Sequence, residues 1–175
     1  MTNSPLTDSA GRIRPIGAFD LALLAELHKT IFTAPWDQSW SAESLAQILA
    51  MPGTCGWLLE QGSLPLGFVL ARFTLDEGEI LLTGILPKAR SQGHGTRLMR
   101  AAIAAAREAG LRKLFLEHAE PNLAAARLYL GLGFAQIGRR PQYYGGQLGA
   151  GERHDAITLK LDLSAAEPLG PARVE

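Results

Sequence analysis

Pro87-Lys88-Ala89-Arg90-Ser91-Gln92-Gly93-His94-Gly95-Thr96 joins an apolar run, Glu79 to Leu86, to a segment whose apolar residues recur at helical spacing. The run reads as a strand. From Gly93 to Ala109, Leu98, Met99, Ala102, Ile103 and Ala106 share one stripe while Arg97, Arg100, Arg107 and Glu108 lie off it, and Gly110 ends the pattern. That is an amphipathic helix with a glycine stop. Leu111 to Glu117 follows as a buried strand. Strand, loop, helix and strand in succession form one right-handed βαβ crossover with parallel strands.

On either side of the crossover the alternation of strand and helix breaks down. Upstream, Arg12 to Ile16 alternates with the strand period, and Phe19 to Phe32 carries Leu23, Leu24, Leu27 and Ile31 at helical spacing behind Asp20, a candidate cap. After a Pro35-Trp36 break, Ser41 and Glu43 open a second short helix that ends near Pro52. Gly56 to Glu60 and Leu66 to Phe73 flank the turn Gln61-Gly62-Ser63 as a hairpin, and Asp76-Glu77-Gly78 turns the chain into the strand at Glu79. Downstream, Pro121 starts a helix running to about Gly131, and Phe134 to Ile137 and His154 to Leu163 close the fold around a glycine-rich loop, Gly145 to Gly151. Consecutive short strands argue for antiparallel pairing. The expected fold is therefore a mixed α/β (α+β) single domain: a mostly antiparallel sheet of six to seven strands, one parallel crossover, and helices on both faces. Residues 12–163 make up the domain. Residues 1–11 and 164–175 are polar, small or proline-containing and read as flexible tails.

Composition narrows the function classes. The 175 residues suit one domain with a real core. Lys plus Arg and Asp plus Glu number 17 each, which excludes a strongly basic nucleic-acid surface or an acidic tail as the organising feature. Cys55 is the single cysteine, so a disulfide framework and a cysteine-rich metal site are excluded. No basic and apolar leader opens the chain, and the longest uncharged run, Ser44 to Leu59, is broken by Pro52 and Gly53. The expectation is a cytoplasmic protein that binds neither membrane nor nucleic acid directly. The four histidines, His28, His94, His118 and His154, show no metal-ligand spacing and read mostly as surface or loop residues. No metal is expected.

The turn itself has the form R-x-x-G-x-G. Glycine at 93 and 95 admits close approach of a ligand to the backbone, and free N–H groups of a first helical turn, with the helix dipole, make an anion site. A pyrophosphate fits, although an ordinary tight turn would use the same glycines. Two other nucleotide motifs fit less well. A P-loop needs Lys-Ser or Lys-Thr after its last glycine, where Thr96-Arg97 stands. A dinucleotide fingerprint needs a third small residue where Leu98 stands, although Glu117 lies about 20 residues on, where a ribose-binding acid would be.

Arg90-Ser91-Gln92-Gly93-His94-Gly95 after a strand, Glu117 at the end of the next, and the string Asn122-Leu123-Ala124-Ala125-Ala126-Arg127-Leu128-Tyr129-Leu130-Gly131-Leu132-Gly133-Phe134 together resemble the acetyl-CoA site of the GNAT N-acetyltransferase superfamily. The last string is far more specific than the glycine turn. The resemblance covers about Arg12 to Leu163. Within the superfamily it is strongest to the bacterial ribosomal-protein N-terminal alanine acetyltransferases, through Ala34-Pro35-Trp36, Leu116-Glu117, Arg139-Arg140 with Tyr143-Tyr144, and Asp155-Ala156-Ile157.

The resemblance implies acetyl-CoA as co-substrate and direct transfer of its acetyl group to the N-terminal α-amine of a protein or peptide, a ribosomal protein with alanine first being the implied acceptor. It assigns Glu117 as general base, which burial at a strand end would tune. Tyr129 would be the general acid at the sulfur. Arg90, Ser91, Gln92, Gly93, His94, Gly95 and Thr96 would hold the pyrophosphate, and Asn122 would bond the pantetheine arm. Backbone groups at Thr83, Gly84 and Ile85, freed where the two strands splay, would polarise the carbonyl. Phe32 to Trp40 and Gln142 to Gly151 would wall the acceptor groove, with Tyr143 or Tyr144 closing over the first residue. His118-Ala119, Arg153-His154 and the long glycine-rich loop depart from the pattern. These departures bear on the acceptor and keep open an acetyltransferase for a small amine, an antibiotic or a lysine side chain; a noncatalytic CoA-binding sensor is the alternative of another class, disfavoured by the presence of both Glu117 and Tyr129, which simple binding does not need.

Overall fold

A computed structural model describes residues 11–37, 40–145 and 152–164; the expected tails, apart from Gly11 and Ser164, and most of the glycine-rich loop lie outside them. Seven strands form one sheet in the order β1-β2-β3-β4-β5-β7-β6. They are β1 (Arg12–Pro15), β2 (Thr54–Gln61), β3 (Leu64–Thr74), β4 (Glu77–Ile85), β5 (Lys113–Ala119), β6 (Ala135–Tyr144) and β7 (His154–Asp162). The helices are α1 (Leu21–Ile31), α2 (Ala42–Ala50), α3 (His94–Glu108) and α4 (Leu123–Gly131). Only β4 and β5 pair in parallel, across α3, and every other neighbouring pair is antiparallel.

Strand alternation sorts the core into two layers. Leu59, Val69 and Ala71 point to the face covered by α3 and α4, where they meet Leu98, Met99, Ala102 and Tyr129. Their neighbours Leu58, Phe68 and Leu70 point to the opposite face and pack on Leu24, Leu27, Ile31 and Leu45 of α1 and α2. Helices on both faces are thus a direct consequence of the central stretches of β2 and β3 being apolar on both sides.

Several local expectations change. Asp20 does not cap α1 through its side chain. Its carboxylate instead accepts from Gly17 N–H and from the Arg14 guanidinium at 2.7 and 2.8 Å, because Arg14 on β1 lies within reach and offers a charged fork. Ser41 does cap α2, its hydroxyl accepting from Ser44 N–H. β6 runs far beyond Ile137, to Tyr144; it is an edge strand, exposed along most of its length, so no apolar alternation marks it. Three of the four histidines are buried, His28, His94 and His118, against the surface expectation. His28 is sandwiched by Phe32 and Trp40 at centroid distances of 4.6 and 5.9 Å, an aromatic stack that makes burial favourable, and that burial lowers its pKa.

Candidate active site

β4 and β5 pair only from Glu77↔Lys113 to Ile80↔Leu116. Beyond that point β4 continues on β3 alone and β5 on β7 alone. At the parting the β3 register slips between Leu70 and Ala71, which face Leu82 and Ile80 and leave Leu81 as an extra residue. Such a bulge bends its strand and re-aims the side chains beyond it. Thr83, Gly84 and Ile85 lie in the open stretch. Gly84 is also where α1 comes down on the sheet: a Cβ there would sit 2.6 Å from Ile31 Cγ2.

The chain leaves β4 through a 3-10 turn, Pro87–Ala89, and reaches α3 through Ser91 at φ +61° and Gly93 at φ +80°. Left-handed residues of this kind occur in the backbone concavities called anion nests, and the first-turn N–H groups of α3 have no acceptor within their own helix. The two glycines differ in purpose. Gly93 is needed for its backbone angle, since a Cβ would meet nothing within 4 Å, whereas a Cβ on Gly95 would press on Leu128 of α4 at 3.3 Å. The Arg90 guanidinium, expected at the phosphates, donates instead to the carbonyls of Ile85 and Ile31, both at 3.1 Å, and ties the C-terminus of α1 to the turn. The last carbonyls of a helix attract such a cation. Gln92 Nε2 donates to Lys88 O at 3.3 Å, and buried His94 leaves Nδ1 without a partner among the described residues.

Asn122 is the N-cap of α4 and not its first turn: its Oδ1 accepts from Ala125 N–H at 3.1 Å, which leaves the amide NH₂ as a donor. Seven residues on, Tyr129 is buried against Phe134 and His118. Burial pushes its phenol up to about 12, a contact with the Thr83 hydroxyl pulling the other way. A phenol so raised keeps its proton at neutral pH.

Glu117 is the fifth of seven residues in β5, not its end, and is the first past the last β4 pair. The expected apolar burial is absent. Its carboxylate is partly exposed and accepts from Thr158 Oγ1 at 2.9 Å and from Arg140 at 3.1 Å, because β7 and β6 bring those side chains across the sheet beside it. Arg140 also stacks over the Tyr143 ring, 4.0 Å from its centroid.

Two cavities flank this fork. The larger, about 570 Å³, runs from the turn at Arg90–Thr96 to α4; the smaller, about 150 Å³, holds Glu117 and His118 on one wall and Trp36, Trp40 and Tyr144 on another. Thr83, Asn122 and Tyr129 line both. The fork thus gathers all the expected site residues except Gln92, which lines neither cavity, while Gly84, Ile85 and the turn line only the larger and Glu117 only the smaller. Tyr144 lines the smaller cavity and its phenol is raised by burial, whereas Tyr143 is exposed. Two lining side chains have no individual role in the sequence reading: Arg127, a variable position of the Asn122 to Phe134 string on α4, and Asp37, inside the Phe32 to Trp40 stretch expected to wall the acceptor groove. Among the described residues no group of three or more His, Cys, Asp or Glu side chains is arranged for a metal, and no helix is long and apolar enough to cross a membrane.

Against known proteins, residues 21–134 match the model of the acetyltransferase (GNAT) family. The [ribosomal protein bS18]-alanine N-acetyltransferase of Haemophilus ducreyi is 28% identical over 145 residues, 82% of this chain and 94% of that protein. The crystal structure of the ribosomal-protein-S18-alanine N-acetyltransferase from Escherichia coli superposes with a TM-score of 0.78 at 26% identity, covering 91% of this chain and 97% of the other. The Arabidopsis thaliana NAA60 structure in complex with acetyl-CoA has a TM-score of 0.72 at 20% identity, covering 88% and 99%.

Proposed function

The chain belongs to the GNAT acetyltransferase family and is an N-acetyltransferase; from that premise we propose that it moves the acetyl group of acetyl-CoA onto the N-terminal α-amine of a protein, alanine of a ribosomal protein being the preferred acceptor. The observation that carries the reading is the fork. Glu117 and Tyr129 line one cavity, and Tyr129 also lines the neighbouring, larger one that runs to the anion nest. A base on the acceptor side and an acid at the boundary between cavities are what direct transfer from a thioester to an amine requires.

In this reading the nest at Ser91–Thr96 binds the pyrophosphate through backbone N–H groups, and the Asn122 amide NH₂ donates to the pantetheine arm. The unpaired edge of β4 at Thr83, Gly84 and Ile85 supplies N–H groups to the negative charge that develops on the thioester oxygen. Glu117 accepts the proton released by the amine, directly or through water. Tyr129, kept protonated by burial, donates to the departing sulfur. An α-amine suits a single carboxylate base, since its pKa of about 7.7 to 8.0 leaves it partly neutral in the cell, unlike a lysine near 10.4. The relatives named for bS18 alanine support the acceptor assignment, and a cytoplasmic setting goes with it.

Mass spectrometry after incubation with acetyl-CoA tests the assignment. Peptides that begin with alanine should gain one acetyl group; the same peptides blocked at the N-terminus, and peptides whose only amine is an internal lysine, should gain none. Acetylation that survives blocking, or that appears only on lysine or on small amines, overturns the acceptor reading.

A further inference from the structure

The two cavities meet along a seam of shared side chains, and among these Asp37 is the only carboxylate. Glu117, by contrast, lines the smaller cavity alone and already has a guanidinium beside it. One oxygen of Asp37 accepts from Ala34 N–H at 2.8 Å while the residue's own N–H returns a bond to Ala34 O at 2.9 Å, closing a tight turn. Among the described residues no cationic side chain lies within ion-pairing distance of it, and Arg90 acts on it only from afar. Burial raises its pKa, as expected of a carboxylate held out of water without a counter-charge.

The surroundings match the missing charge. Phe32 and Trp36 line the seam with Asp37, and Trp40 and Tyr144 complete an aromatic wall in the smaller cavity. Aromatic faces attract cations, most strongly where water is excluded. Trp36 also carries a buried indole N–H with no hydrogen-bond partner among the described residues, so the seam holds an unused donor as well as a carboxylate without a counter-charge.

We propose that Asp37 is a second functional carboxylate of this site: it binds the incoming acceptor in its ammonium form at the junction of the two cavities, and Glu117 then takes the proton. The proposal rests on the reading above that the amine enters the cavity holding Glu117, and it assigns to the two carboxylates separate tasks, capture and deprotonation. A peptide α-ammonium and a small diamine share this chemistry, and the two are separated by experiment.

Asp37→Asn and Asp37→Ser both keep an oxygen able to accept from Ala34 N–H, so the turn survives while the charge is lost. With CoA bound, calorimetry should show an alanine-starting peptide weakened about 10- to 100-fold in both variants, the range for loss of a charge-assisted contact. The N-acetylated form of the same peptide, which carries no ammonium, should bind wild type and variants alike, and acetyl-CoA affinity should not change. Kinetically KM for the amine should rise with kcat nearly kept, the opposite of Glu117→Gln. The diamine is measured in parallel; weakening confined to it upholds Asp37 while overturning the peptide acceptor. Equal binding of each amine by wild type and variants, or equal weakening of the peptide and its acetylated form, overturns the proposal.

Discussion

The two halves of the cleft are built from different materials. The larger cavity takes one end from backbone features, a turn with two left-handed residues, a helix N-terminus and the unpaired edge of β4, with side chains such as Asn122 and Tyr129 at the other. The smaller is walled by side chains from separate parts of the chain, with Trp36 and Asp37 after α1, Glu117 on β5 and Tyr144 on β6. Backbone groups present the same dipoles whatever the side chains are, so the first half can serve one fixed ligand. Charged and aromatic side chains can be exchanged one at a time, so in the proposed function the second half is where acceptor preference would reside.

The contrast is sharpest at the two residues proposed to transfer protons. Tyr129→Phe and Glu117→Gln should each lower kcat by about 10²- to 10⁴-fold, the usual worth of a positioned acid or base, with little change in acetyl-CoA affinity. Steady-state rates beside direct binding measurements check this, and wild-type turnover in either variant would end that residue's assignment. The pH profile adds a sign. With its phenol near 12, Tyr129 stays protonated where an ordinary tyrosine near 10 would lose its proton, so its ionisation should not impose an alkaline limb around pH 10. The same shift makes a stability statement: its contribution is whole below about pH 10 and is lost as pH rises through about 12, which thermal melts in that range can follow.

A middling effect is expected at the nest. Gly93→Ala adds a methyl to open space but forces a left-handed angle worth about 1 to 2 kcal/mol, so the turn should relax and acetyl-CoA affinity fall at least about fivefold. Gly95→Ala presses on Leu128 and should lower the melting temperature as well. Unchanged affinity in a folded Gly93→Ala protein would move the phosphate site elsewhere. The smallest effect belongs to the support of α1. Arg14 holds the Asp20 carboxyl down at about 2, so this pair's contribution is present above about pH 4 and fades as pH falls through 2. Asp20→Asn should lower stability by no more than about 1 kcal/mol at neutral pH, measured by urea denaturation, and should leave turnover unchanged.

The same contrast governs what the residues disclose on their own. The crossover is legible because glycine, helical period and an apolar run are local signals, and Arg90 to Thr96 with Asn122 and Tyr129 stand in two short motifs. Most of those side chains do face the large cavity. Arg90 behaves differently because the carbonyls of Ile31 and Ile85 reach its guanidinium first, a competition visible only in three dimensions. The full length of β6 is hidden because an edge strand with one neighbour and few buried positions carries no alternation. The Arg140 partner of Glu117 depends on how β6 and β7 register against β5, a relation between residues far apart in the chain. Asp37 lies in a segment with no period at all; the resemblance marks the whole stretch Phe32 to Trp40 as a groove wall, and the cavity singles out this residue within it.

The seam has a kinetic consequence. Because Thr83, Asn122 and Tyr129 border both cavities, the two proposed substrates would meet at these side chains. The acetyl group then needs no resting place on the protein. Initial rates measured against both substrates should give intersecting lines in double-reciprocal form, and a molecule joining CoA to a peptide N-terminus should compete with each substrate and bind more tightly than either.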